Sequence, residues 1–111
     1  MTKYELLDLI ARLNKDGYED PSIAVMRCRN ELPGDMWKTL SAFANYNGGT
    51  IILGAEWSEN GLKIHGVQDI PDITESVRVL CGQMAPKLDV LLDNFSIEGK
   101  DIIVLETGEL S

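Results

Sequence analysis

Three cations stand close together in the first half of the chain. Arg27 and Arg29 are two residues apart, and Lys38 follows nine further on. At the end of a strand, residues i and i+2 point the same way, so the two guanidinium groups share a face. With Lys38 on the polar side of the next helix they form the one candidate basic patch, suited to phosphate oxygens. The bland reading, two solvated arginines that discourage edge pairing, stands beside it. Other residues have plainer explanations. His65 is the single histidine and lies in a strand with no acid or serine at a motif spacing, so it reads as structural or solvent-facing rather than as a general base. Asp69, Asp72 and Glu75 crowd a helix entry, where the dipole already favours them, and a carboxylate metal site needs converging ligands. Gly48-Gly49 follows a helix and precedes a strand, the reverse of a phosphate loop. It reads as a helix stop with a tight turn, or as backbone that closely approaches a ligand. Cys28 and Cys81 lack metal-ligand spacing and are too few for a disulfide scaffold, so they read as buried, reduced thiols of a cytoplasmic protein.

The elements that must carry these residues follow from periodicity. Lys3 to Asn14 places Leu6, Leu7, Ile10 and Leu13 on one helical stripe, with Thr2 and Glu5 in capping-box spacing. Ser22 to Cys28 reads as a strand. Leu32-Pro33-Gly34-Asp35 opens a second helix whose buried face is Met36, Trp37, Leu40, Phe43 and Ala44, ending at Asn45-Tyr46-Asn47-Gly48-Gly49. Thr50 to Ala55 returns as a buried strand, which makes a βαβ crossover. Ser58 to Gly61 is a hairpin turn leading to a strand over Leu62 to Val67. Ile73 to Met84 is a third helix with Ile73, Val77, Leu80, Cys81 and Met84 on one face, stopped by Pro86. Val90 to Ile97 and Asp101 to Glu106 form a second hairpin around Glu98-Gly99-Lys100. The fold class is α/β (α+β): a mixed sheet with about three helices, one crossover and two hairpins.

Composition bounds the rest. At 111 residues, 44% hydrophobic and 25% charged, the chain reads as a single globular domain over 1–111, with no membrane span and no secretion signal. The net charge of −8 argues against backbone binding by the whole surface. Residues 1–55 hold six Lys/Arg against seven acids, and residues 56–111 hold four against eleven. An anionic partner therefore docks on the first half.

The segments Leu32-Pro33, Trp37-Lys38-Thr39-Leu40-Ser41-Ala42-Phe43-Ala44-Asn45 and Asn47-Gly48-Gly49-Thr50-Ile51-Ile52-Leu53-Gly54 resemble the Schlafen AlbA-like domain. His65-Gly66-Val67 is similar to its later "GV" element and Ile102 to Leu105 to its last strand, so the likeness spans roughly Ile23 to Glu106. The resemblance implies a mixed-sheet α/β fold and a DNA-binding module at the amino end of bacterial proteins described as transcriptional regulators. It also implies that the parent protein continues past Ser111. The family's "E-x-K" before the Leu-Pro is replaced by Ala24 and Met26, with the following Arg27 kept. Its acidic pair after the "LG" becomes Ala55-Glu56-Trp57. Ribonuclease relatives depend on carboxylates at such places, and Glu56 alone does not organise a metal site. The expectation is a non-catalytic DNA- or RNA-binding domain with no metal and no cofactor, its contacts made by Arg27, Arg29, Lys38, Asn45, Asn47, Gly48 and Gly49. The alternative is an acidic protein-interaction module that pairs through strand edges as a homodimer.

Overall fold

The computed structural model describes residues 1–108; the Glu109-Leu110-Ser111 end, read above as the edge of a longer protein, lies outside them. Helix α1 spans Lys3–Asp16 and opens on the expected capping box: Glu5 N–H donates to Thr2 Oγ1 at 3.1 Å, and Thr2 N–H donates to Glu5 Oε1 at 2.8 Å. Its buried face is Leu6, Leu9 and Leu13. Leu7, expected on that stripe, is 41% exposed, because one residue along a helix turns the side chain ~100° away from Leu6. β1 is Ile23–Met26, shorter than the Ser22–Cys28 expected.

Helix α2 is Met36–Ala44, with Met36, Leu40, Phe43 and Ala44 buried at i, i+4, i+7 and i+8. Trp37, assigned above to the buried face, is 50% exposed. Its indole instead lies under the Lys38 ammonium, 5.7 Å from the ring centroid. β2 is Gly49–Leu53 and pairs in parallel with β1, Ile23 opposite Thr50 through Met26 opposite Leu53, so β1, α2 and β2 form the expected crossover.

The strand expected over Thr50–Ala55 breaks at Gly54, which has φ +107°. Beyond it β3, Ala55–Ser58, leaves the main sheet and pairs with β4, Gly61–Ile64, as a separate two-stranded sheet. Helix α3 is Ile70–Gln83, starting three residues earlier than expected because Asp69 caps it, accepting the Asp72 N–H at 3.0 Å. β5, Val90–Ile97, and β6, Lys100–Thr107, form the closing hairpin.

The main sheet has the order β1-β2-β6-β5. Its central strands are buried on both sides. Ile51, Leu53, Ile103 and Leu105 face α2 and α3, packing with Leu40, Phe43, Ile73 and Val77. Ile52, Ile102 and Val104 face α1 and the small hairpin, packing with Leu6, Leu13, Ala55 and Ile64. Sheet faces covered by helices on both sides keep backbone ends, rather than faces, available for contacts. Among the described residues no helix is long and apolar enough to cross a membrane.

Candidate nucleic-acid interface

β1 and β2 run in parallel, so their carboxyl ends emerge together at one end of the sheet, where β6 begins. The chain leaving β1 is pinned there: Gly54 N–H donates to Met26 O at 2.9 Å and Gln68 N–H to Arg29 O at 2.9 Å. Cys28 turns inward, 1% exposed, and its thiol donates to Glu31 O at 3.3 Å. The residues on either side, Arg27 and Arg29, lie past the end of β1 and are both exposed. Both line an open depression of about 700 Å³ whose wall is the Leu32-Pro33-Gly34 loop. Among the described residues neither guanidinium has a carboxylate partner, whereas Arg12 is bound to Asp20 at 3.1 Å. Lys38 stands in the first turn of α2, just past that loop, with its N–H donating to Asp35 O at 3.0 Å. It lines neither this depression nor its neighbour.

A second depression, of about 280 Å³, shares Arg29 and Gln68 with the first and adds His65, Gly66, Lys100 and Asp101. Here the structure shows a pairing the sequence hid. His65 Nε2 and Glu56 Oε1 are 2.5 Å apart, and the Lys100 ammonium donates to Ile64 O at 3.2 Å. Glu56 lies opposite Lys63 across the β3–β4 ladder, so His65, two residues on, is its diagonal neighbour on the same face. The available signal was Asn60-Gly61: counting outward from that turn puts Glu56 in a strand rather than a loop. On the α3 side the cationic end is bordered by Asp69 and Asp72.

The remaining candidates lie elsewhere. Gly49 starts β2 opposite Thr107, and Thr50 N–H donates to Ser22 O at 2.8 Å, at the beginning of β1. Asn45, Asn47, Gly48 and Gly49 thus occupy the opposite end of the sheet from Arg27 and Arg29, separated by the length of β2, roughly 13 Å for five residues. Asn45 and Asn47 are exposed, but Gly48 is buried and its N–H donates to Phe43 O at 2.8 Å. A Cβ on Gly48 would lie 2.4 Å from Thr107 O, and one on Gly49 would lie 2.5 Å from the Phe43 ring. The glycine pair is filled by its own chain. The pair makes the turn out of α2 and packs against Phe43 and Thr107.

Among the described residues no group of three or more His, Cys, Asp or Glu side chains gathers as a metal site would. Ala24, at a family carboxylate place, is part of the core, and Trp57 donates its indole N–H to Glu19 at 3.0 Å. Both cysteines are free and buried, and that burial pushes their thiols up, away from the reactive thiolate.

The pattern of the Schlafen, AlbA_2 family matches residues 13–110, nearly the whole chain. The chain belongs to that family. Among solved structures it is similar to the N-terminal domain of a RecG-related protein from Nitrosomonas europaea, with a TM-score of 0.74 and 22% identity, over 94% of this chain and 72% of that one. At that identity the likeness is one of fold. No curated protein matches. In this chain the Leu-Pro, Ala-Phe-Ala-Asn and Asn-Gly-Gly segments that carry the resemblance lie in the loop before α2, at the end of α2 and at its junction with β2.

Proposed function

We propose that this AlbA_2 chain is a non-catalytic nucleic-acid-binding domain of a transcriptional-regulator-like cytoplasmic protein, and that it contacts the phosphate backbone through the sheet end carrying Arg27 and Arg29. The observation that carries this reading is a pair of guanidinium groups, side by side over an open depression and free of carboxylate partners among the described residues. Arginine presents a planar fork of donors that matches two phosphate oxygens at once. Lys100 and His65, which line the adjoining depression with Arg29, extend the polar surface toward the β3–β4 hairpin. The name of the similar N-terminal domain, RecG-related, is consistent with a partner of this class. Asn45 and Asn47 stand at the other end of the sheet, roughly 13 Å away along β2.

The test is binding to duplex and single-stranded DNA and RNA at two salt concentrations. Phosphate contacts make affinity fall as salt rises, each contributing about −0.9 to the logarithmic slope on duplex DNA. Arg27→Glu is expected to weaken binding about tenfold or more and to flatten that slope. Absence of binding to every one of these nucleic acids at low salt sinks the reading.

A further inference from the structure

The four-stranded sheet has two edges, and they are finished differently. β1 is four residues long, and its Val25 N–H is taken by the Glu19 carboxylate at 2.9 Å, which also accepts the Trp57 indole N–H at 3.0 Å. An edge this short and this occupied offers no ladder to another chain. β5 has eight residues paired to β6 without a bulge along their whole length. It contains no proline, lysine or arginine, and its one charge is Asp93. Leu91 on this strand is 67% exposed. Of the devices that normally blunt an edge strand, proline, lysine and bulges are missing from β5, and the single charge of Asp93 is present.

The hairpin turn decides which backbone groups face out. Ile97 pairs with Lys100 across Glu98-Gly99, whose φ values of 55° and 76° are both positive, as in a type I′ turn. The pair closing such a turn is hydrogen-bonded, so Ile97 directs its N–H and C=O toward β6. Alternation then places the backbone groups of Val90, Leu92, Asn94 and Ser96 on the open side. Among the described residues no backbone bond from another element reaches them.

We propose that β5 pairs, antiparallel, with β5 of a second copy of this chain about a two-fold axis through Asn94, joining the two sheets into one. The occupant follows from charge. The chain carries −8, most of it in residues 56–111, which disfavours close approach of two copies there, but along Val90–Ile97 only Asp93 is charged, and Met1 already holds its carboxylate at 3.4 Å. The register follows from symmetry. A two-fold axis perpendicular to a sheet keeps each face on its own side, so only positions of equal parity oppose each other. Centred on Asn94, the pairs 94 with 94, 92 with 96 and 96 with 92 all bring outward groups together, making about six N–H···O bonds. Leu91 then meets Ile97 of the second copy. Centring on Asp93 instead sets two carboxylates opposite each other at the closer spacing, which is destabilising. Centring on Phe95 brings fewer outward groups into register.

This proposal stands apart from the nucleic-acid reading, because the arginine end and the β5 edge are different surfaces and its test contains no nucleic acid. Sedimentation velocity is run from roughly micromolar to roughly millimolar protein on the wild type, Asn94→Asp, Asn94→Lys and an equimolar mixture of the two variants. The wild type is expected to pass from monomer to dimer with concentration. Each variant opposes like charges across the axis and is expected to dimerise at least ~10-fold more weakly, while the mixture, with opposite charges facing, recovers the dimer. Asn94 is exposed, and thermal melts followed by circular dichroism confirm that each variant keeps the fold. A wild type that stays monomeric throughout overturns the proposal. So does a dimer that neither charge weakens, or a mixture that does not recover it.

Discussion

Phe43 and Gly49 share one space. The ring of Phe43, 6% exposed, lies where a side chain on Gly49 would have to go, and this contact locks the end of α2 onto the start of β2. Phe43→Ala is expected to lose ~3–5 kcal/mol, the range for a buried aromatic truncated to a cavity. Gly49→Ala overpacks the same spot and is expected to lose ~1–3 kcal/mol. The double variant, in which the new methyl enters the vacated volume, is expected to fall short of the sum by more than ~0.5 kcal/mol, since contacting sites do not add. Urea unfolding of the three variants measures this; strict additivity would separate the two residues. At this scale the sequence was only partly informative. The Asn-Gly-Gly run announces a chain reversal by composition alone. Whether the glycines admit a ligand or a neighbouring ring depends on a packing partner six residues away that no local rule names. His65 shows the same limit, because its Glu56 partner is visible only once the hairpin register is known.

Between elements, the connection from α1 to β1 is held by two carboxylates, Glu19 and Asp20. Asp20 accepts the Ser22 hydroxyl at 2.6 Å, the Ser22 N–H at 2.8 Å and an Arg12 N–H at 3.1 Å. The Ser22 hydroxyl, the Ser22 amide and the Arg12 charge hold its carboxyl below the usual carboxylate range against the opposing effect of desolvation. A lowered folded-state pKa adds stability above the unfolded value, ~3.9, that is lost as pH falls through the folded value. Asp20→Asn is therefore expected to lower the melting temperature at neutral pH, with the gap to wild type closing as the solution is acidified below about pH 4. A gap that is constant with pH would assign the effect to shape rather than charge. The elements themselves were largely legible: all three helices, the crossover and the β5–β6 hairpin follow from period and turn chemistry. The break at Gly54 was not. Its carbonyl accepts the His65 and Gly66 N–H groups, both at 2.8 Å, and a Cβ there would crowd Ile102 and Val67 at 3.2 Å, so tertiary contacts redirect a strand that reads as continuous. Trp37 and Leu7 read as buried from the sequence because apolar residues outnumber the positions one helix face can bury.

Across the whole molecule, charge and topology divide the candidate contacts into two groups. Because β1 and β2 are parallel, residues after β1 and residues before β2 emerge at opposite ends, however close they stand in sequence. Arg27 and Arg29 share one end with Lys100 and His65, while Asn45 and Asn47 share the other with Thr107 and Gly108. At the arginine end two guanidinium groups without a carboxylate partner among the described residues supply the positive charge that releases counterions on binding. Arg29→Glu is thus expected to weaken binding about tenfold or more and reduce the salt slope by about 0.9 for each phosphate contact it removes. Asn47→Asp adds a like negative charge yet is expected to change affinity less than about twofold, because at physiological salt the separation exceeds the ~8 Å screening length. Parallel titrations with one duplex at one salt concentration decide between the ends. Equal losses from the two substitutions would require a ligand that wraps both ends, and a loss confined to Asn47→Asp would move the interface to the α2–β2 corner.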